Sequence, residues 1–221
     1  MASFVEQFFN IEIMIAAWPT LLQGLGVTLL LCVAVIPMGL AGGLFAALAS
    51  TAKSKYIRWP TIALVDFFRS IPPLVLLIFV YSALPFAGLR LSPFTSVVTA
   101  FFLNNSAYYG EILRAGLQSV GYGQTEAARS TGLSAVQSLR YVVLPQAVRN
   151  VLPDLISNTI EVIKLTSLAS VVSLAEILYS ADMARSVTYN ASPIVLAAGI
   201  YLLILWPLVR LVSQFGKKLS V

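Results

Sequence analysis

From residue 13 to residue 52 the chain contains no Asp, Glu, Lys or Arg, and the same is true of 70–89, 91–110 and 186–209. A helix needs roughly 20 such residues to cross the hydrocarbon core of a bilayer. Composition agrees: 58% of the 221 residues are hydrophobic and 10% charged, whereas a soluble domain carries under half apolar and about a quarter charged residues. The expected fold class is all-α and integral to a membrane.

Five transmembrane helices are expected, at about 21–50, 57–84, 93–117, 149–175 and 192–214. Pro37 is expected to kink the first, while Gly39, Gly42 and Gly43 let a neighbouring helix approach closely. Residues 1–19 mix Phe4, Phe8, Phe9 and Ile11 with Glu6 and Glu12 and lack the basic start of a secretory signal, so they read as an interfacial segment. The expected organisation is that segment, a transmembrane domain over 20–215 and a tail over 216–221. Basic residues are retained on the cytoplasmic side. Lys53, Lys55, Arg58, Arg114, Arg129, Arg140, Arg149, Arg210, Lys217 and Lys218 fall on one side, against Arg90 and Arg185 on the other. The N-terminus is therefore expected outside and the C-terminus in the cytoplasm. The net charge of +5 reads as a topology signal rather than a nucleic-acid footprint.

The longest segment between spans, about 118–148, falls on the cytoplasmic side. Gly121 and Gly123 punctuate the end of the third span, and 124–129 are mostly good helix formers that Gly132 ends or bends. Ser134 is positioned to cap a second short helix that ends before Pro145. Glu126 and Arg129, three residues apart, share a helical face and are placed to pair or cap locally. On residues alone, an ordinary amphipathic loop and a docking loop fit equally well.

A resemblance separates the two. Glu126-Ala127-Ala128, three residues, Gly132, nine residues, then Val142-Val143-Leu144-Pro145 resembles the Glu-Ala-Ala loop of binding-protein-dependent ABC importer permeases, with Val142 in the place of Ile. Phe68-Arg69-Ser70-Ile71-Pro72-Pro73-Leu74 is similar to the Phe-Arg-Gly-Thr-Pro-Leu stretch of the polar amino-acid subfamily. Ala107-Tyr108-Tyr109-Gly110-Glu111-Ile112-Leu113-Arg114 and Lys164 with Thr166-Ser167-Leu168-Ala169-Ser170 resemble two further blocks of it. Ser70-Ile71 and Leu165 depart from its usual Gly-Thr and Asp. The likeness covers about 20–215. It implies a type-1 ABC importer permease fold, and a coupling helix, carried here by Glu126, Ala127, Ala128, Gly132, Leu144 and Pro145, that sits in a groove of an ATP-binding subunit.

Ionisable groups at membrane depth cost several kcal/mol unless paired or wetted, so each is a functional candidate. Asp66 and Arg69 are placed for an i,i+3 pair or a gating or substrate role, and Glu111 for a pairing with Arg114. The fourth span is the most polar: Ser157, Asn158, Glu161, Lys164 and Thr166 give it a broad hydrophilic face. A helix-locking Glu161–Lys164 pair and a water-lined translocation path both fit. The resemblance implies substrate contacts around Asn158 to Glu161. The candidate pathway residues are Asn158, Glu161, Lys164, Thr166, Ser167, Asp66 and Arg69.

Other chemistries are narrowed. Cys32 is the single cysteine and there is no His, which removes intramolecular disulfides, His-based acid–base chemistry and the common zinc sites. The Gly216-Lys217 pair lacks the rest of a phosphate loop, so no enzymatic activity, catalytic residue, metal or cofactor is expected in this chain, ATP and Mg being bound by a partner. The resemblance implies a multi-pass component of the bacterial inner membrane that imports a polar amino acid, or a derivative such as an opine. Its partners would be a second or homologous permease, two ATP-binding subunits, a soluble substrate-binding protein and membrane lipid, with no nucleic acid. An ion-coupled carrier using Glu161 and Lys164, and a non-transporting scaffold, are the competing readings.

Overall fold

The computed structural model describes residues 3–219, with side chains through Val212. The side chains of Lys217 and Lys218 and residues 220–221, the end of the expected tail, lie outside the described residues. Every regular element among the described residues is helical. The chain opens with α1 (Phe4–Phe8), whose Ser3 and Glu6 form a reciprocal capping box. It continues as α2 (Ile11–Ser50), an unbroken helix that runs through Pro37. Residues 11–19, expected in the interfacial segment, are thus the start of the first long helix.

The second expected span is not one helix. It consists of α3 (Lys55–Ser70) and α4 (Pro73–Ser82), bent by 96° at the break. A residue before proline is driven out of the helical region. Here Pro72 and Pro73 act in series: Ile71 sits at φ −87, ψ 128 and Pro72 at φ −56, ψ 133, so Pro73 starts a new helix. Next comes α5 (Pro93–Ser119), then α6 (Tyr122–Ser130), α7 (Ala135–Ser138) and α8 (Leu144–Asn150). The fourth expected span is α9 (Leu152–Leu165) continued by a tighter 3-10 stretch, Thr166–Val172. The last two helices are α10 (Ile177–Thr188) and α11 (Ser192–Leu219).

Phe4–Ser50, Leu152–Val172 and Ser192–Val212 are long and apolar enough to cross a membrane, and the bent α3–α4 pair is a fourth candidate. The 27 residues of α5 reach about 40 Å. Its apolar content is lowered by Asn104 and Asn105, which are buried inside the protein rather than turned to lipid.

The chain divides into two compact units. Unit 1 comprises Met1–Ile36, Pro72–Phe101 and Ile160–Arg210, and unit 2 comprises Pro37–Ile71, Phe102–Thr159 and Leu211–Val221. In unit 1, Ala17, Leu21, Ile177, Ala181, Ala197 and Ile200 pack as one apolar cluster. One end of that unit is tied by polar bonds: Asn190 Nδ2 donates to the Glu6 carbonyl (2.8 Å), and the Asn10 amide donates to Ser192 Oγ (2.8 Å).

Unit 2 depends on glycine. A Cβ added at Gly43 would stand 2.5 Å from Tyr109 Cβ and 2.8 Å from the Gly110 nitrogen, so α2 and α5 touch backbone to backbone, as the small residues of α2 lead one to expect. Tyr109 is wholly buried, and its hydroxyl shares a hydrogen bond with Thr159 Oγ1 (2.8 Å). Asn104 Nδ2 donates to the Phe68 carbonyl (3.0 Å), near the end of α3.

Candidate functional site

The loop between α5 and α9 is built from short-range signals. After α6, the Gly132 amide donates to the Arg129 carbonyl (3.1 Å) and Gly132 takes φ +89. That left-handed conformation costs a residue with a Cβ about 1–2 kcal/mol. Nothing lies within 4 Å of where a Gly132 Cβ would be, so backbone shape, not crowding, selects glycine here. Arg129 Nη1 reaches across the turn to the Leu133 carbonyl (2.8 Å). Of the two roles expected for Glu126 and Arg129, an ion pair or a local cap, Arg129 takes the local one and closes the turn on a backbone carbonyl.

Ser134 then caps α7: its Oγ accepts from the Gln137 amide (3.3 Å) and Gln137 Oε1 accepts from the Ser134 amide (2.8 Å). The helix does not stop before Pro145. It widens into a π turn, Leu139–Val143, in which the Leu144 amide donates to the Leu139 carbonyl, and Pro145 enters the first turn of α8. Proline has no N–H to donate and its ring crowds the carbonyl four residues back, so a local widening lets the helical path go on. Glu126, Ala127, Gly132 and Pro145 are exposed, Leu144 is half-buried, and Ala128 is buried. The loop therefore presents a small-residue surface around a fixed turn.

In unit 2 a chain of charges links α3 and α5. Arg114 Nε donates to Glu111 Oε2 (2.9 Å), and its Nη2 bonds the other carboxylate oxygen. The Arg69 guanidinium lies 3.9 Å from Glu111 and 4.0 Å from Asp66, and stacks 5.6 Å from the Tyr108 ring centroid. Both expected pairings, Asp66–Arg69 and Glu111–Arg114, are present, joined through a contact that spacing along the chain does not show. Two acids and two bases leave the group neutral, which lowers the cost of holding it at membrane depth.

On α9, Asn158 is half-buried and belongs to unit 2, with its side chain within hydrogen-bonding reach of the Tyr109 hydroxyl. In unit 1, Lys164 and Glu161 form an i,i+3 ion pair, and both side chains are exposed along this single chain. The Thr166 hydroxyl donates to the Ile163 carbonyl (2.6 Å) and Thr166 is fully buried. Ser167 is half-buried and donates to the Lys164 carbonyl (2.8 Å). Of the candidate pathway residues in unit 1, Glu161 and Lys164 are the ones that present charge outward.

The model of the family described as "Binding-protein-dependent transport system inner membrane component" matches residues 39–221. The chain belongs to this family. Its Glu-Ala-Ala loop, bent α3–α4 pair and α9 all fall inside the matched region. Among relatives, the Bacillus subtilis protein named a probable amino-acid ABC transporter permease, YckA, is 35% identical across 97% of this chain and 94% of its own. A second protein of that species, named a probable glutamine ABC transporter permease, GlnM, is 33% identical across 96% and 98%. A solved crystal structure described as an amino acid ABC transporter with histidines superposes with a TM-score of 0.84 at 34% identity, covering 99% of each chain. The chain has the type-1 ABC permease architecture of that neighbour.

One residue of this family member escaped the sequence reading. Glu176, in unit 1, is completely buried and caps α10: Oε1 accepts from the Tyr179 amide (2.7 Å) and Oε2 from the Leu178 amide (2.9 Å). The Tyr201 hydroxyl donates to the same carboxylate (3.2 Å). A Cβ on Gly24 would stand 2.8 Å from the Glu176 carbonyl, and the next amide, Ile177, donates to the Thr28 hydroxyl (3.3 Å). Among the described residues no Lys or Arg pairs with Glu176, so two backbone N–H groups and the Tyr201 hydroxyl hold its carboxyl group. The signal available was a lone carboxylate in an apolar run just past the fourth expected span, a place where nothing in the local spacing names a partner.

Proposed function

We propose that this chain is the permease subunit of an ATP-driven importer for a polar amino acid or a derivative such as an opine. The observation that carries the proposal is the exposed α6–Gly132–α7 turn. Its Glu-Ala-Ala-x3-Gly spacing resembles that of a coupling helix, and its geometry leaves Glu126, Ala127 and Gly132 open to another protein. The substrate class is supported by the relatives, named as amino-acid and glutamine permeases, and by the solved amino-acid transporter.

In this reading the transmembrane domain is 20–215, crossing five times with the N-terminus outside and the C-terminus in the cytoplasm of a bacterial inner membrane. The bent α3–α4 pair counts as one crossing and α5 as another. Two permeases, identical or homologous, face each other, because five spans are too few to enclose a path. Two ATP-binding subunits supply ATP and Mg, and a soluble binding protein delivers substrate. Closure of the ATP-binding subunits moves the segment 124–145, anchored by Glu126, Ala127, Ala128, Gly132, Leu144 and Pro145. The spans then tilt, so that a central cavity opens alternately outward and inward. Asn158, Glu161 and Lys164 are assigned to the lining of that cavity, with Thr166, Ser167, Asp66 and Arg69 as supporting positions. A zwitterion needs an acceptor for its ammonium and a donor for its carboxylate, and the exposed Glu161–Lys164 pair offers both.

The test is the energy source. Uptake of labelled amino acids into proteoliposomes holding the permease with its ATP-binding and substrate-binding partners should require internal ATP and persist with a protonophore. Uptake that survives without ATP and collapses with the protonophore would replace this reading with an ion-coupled carrier built on Glu161 and Lys164.

A further inference from the structure

Unit 2 contains a cavity of about 570 Å³ that the transport reading does not use. The apolar side chains of Leu48, Leu117, Leu139 and Val143 share its lining with Arg58 and Gln118. Beside it the chain is strongly basic. Lys53, Lys55 and Arg58 lie within six positions, and no Asp or Glu occurs from residue 13 to residue 65. Lys53 and Lys55 are exposed, and none of the three forms an ion pair among the described residues. Large side chains flank them, two amphipathic and one aliphatic: Tyr56 is 93% exposed, Trp59 61% and Ile57 52%. Arg58 also lies 6.0 Å from the Trp59 ring centroid.

These observations combine three requirements that rarely coincide. Unpaired cations attract an anion. A cavity next to them with one apolar wall takes a hydrocarbon chain along that wall. Exposed Trp and Tyr mark the level at which bilayer meets water, where such rings settle. We infer that this cavity is a binding site for an acidic phospholipid, whose phosphate lies among Lys53, Lys55 and Arg58 while an acyl chain occupies the Leu48–Leu117–Leu139–Val143 lining. Basic pockets at the cytoplasmic ends of membrane helices hold acidic headgroups in this way. The inference rests on the proposed sidedness, which puts the α2–α3 connection in the cytoplasmic leaflet.

The site has a consequence for transport. Leu139 and Val143 are the first and last residues of the π turn inside the coupling loop, so a lipid in the cavity packs directly against the segment that would transmit ATP-driven motion. The turn is then held from its membrane side by an acyl chain, and coupling depends on lipid charge.

The test is lipid retention by the purified permease assembled with its ATP-binding subunits, measured by native mass spectrometry after delipidation. The probes are phosphatidylglycerol, phosphatidylcholine and inorganic phosphate. Phosphatidylglycerol should be retained at least tenfold better than phosphatidylcholine, and millimolar inorganic phosphate should not displace it. The K53Q/K55Q/R58Q variant should lose about a hundredfold in affinity, as expected for three interfacial cations. T51W, which keeps the charges but fills the cavity that Thr51 also lines, should lose it too. Equal retention of the two lipids overturns the site, as does displacement by inorganic phosphate. Retention by the isolated permease but not by the assembly also overturns it, giving this face to the ATP-binding subunit. Because retention is read without transport, an intact ATP-driven uptake with no bound lipid removes the lipid site alone. Loss of ATP-driven uptake in the wild type removes the permease reading itself.

Discussion

Arg114 grips both carboxylate oxygens of Glu111, and the same carboxylate faces the Arg69 guanidinium of α3 at 3.9 Å. One acid thus serves a local helical pair and a long-range contact. Removing a single member leaves the group with a net charge, whereas removing one acid and one base together keeps it neutral. Because these side chains keep some solvent exposure, E111Q and R114Q should each cost about 0.5–1 kcal/mol. The double variant should cost at least about 0.5 kcal/mol less than their sum. Thermal unfolding of the purified proteins measures the cycle, and strict additivity would show that Glu111 and Arg114 act independently.

Gly43 and Gly26 make a matched pair for testing helix contact in α2. A methyl group at Gly43 collides with the Tyr109 Cβ and the Gly110 backbone, whereas nothing lies within 4 Å of one at Gly26. G43A should destabilise by about 1–3 kcal/mol through overpacking. G26A should be neutral or gain up to about 1 kcal/mol from helix propensity. Unfolding midpoints decide it, and a tolerant Gly43 would mean that α2 and α5 do not meet at this level.

These two cases show what the sequence made legible. Devices that act within one turn were readable: the Ser134 cap, the Asp66–Arg69 and Glu111–Arg114 spacings, and the small residues of α2. Tertiary geometry was not. Pro72-Pro73 was visible, yet apolar residues on both sides hid a 96° bend inside what reads as one span. The π turn at Leu139–Val143 reconciles Pro145 with a continuing helix, an outcome that propensity alone cannot distinguish from a stop. Arg129 bonds the Leu133 carbonyl rather than Glu126, because the left-handed turn at Gly132 folds the chain back to an acceptor that a residue pattern does not display. Glu176 stayed hidden because all its partners are backbone amides or residues far along the chain.

Glu176 accordingly yields a prediction of its own. E176A removes the cap from the Leu178 and Tyr179 amides and should cost about 0.5–2 kcal/mol for the cap alone. E176Q keeps one acceptor and should cost less. Amide hydrogen exchange across 177–181 should quicken in E176A. Unchanged exchange there would mean that other contacts fix the start of α10.

Glu161 tests the pathway. E161Q keeps the shape of the side chain but frees Lys164 from its ion pair, so a passing ammonium loses its acceptor while a carboxylate keeps its donor. Competition uptake with acidic, neutral and basic amino acids should show a selectivity shift against basic substrates of about tenfold, as one lost charged contact implies. An unchanged profile assigns the Glu161–Lys164 pair to holding the helix alone.

Gly132 provides the decisive comparison, because its φ of +89 and open surroundings separate backbone shape from bulk. Asn enters the left-handed region far more readily than a β-branched residue. ATP-driven uptake should therefore be measured in proteoliposomes for G132N and G132V, each assembled with its ATP-binding subunits and matched for membrane incorporation. A coupling turn predicts substantial uptake for G132N and at least a tenfold loss for G132V, with both proteins folded. Wild-type uptake in G132V would contradict the assignment of this loop as the site where ATP hydrolysis is turned into movement.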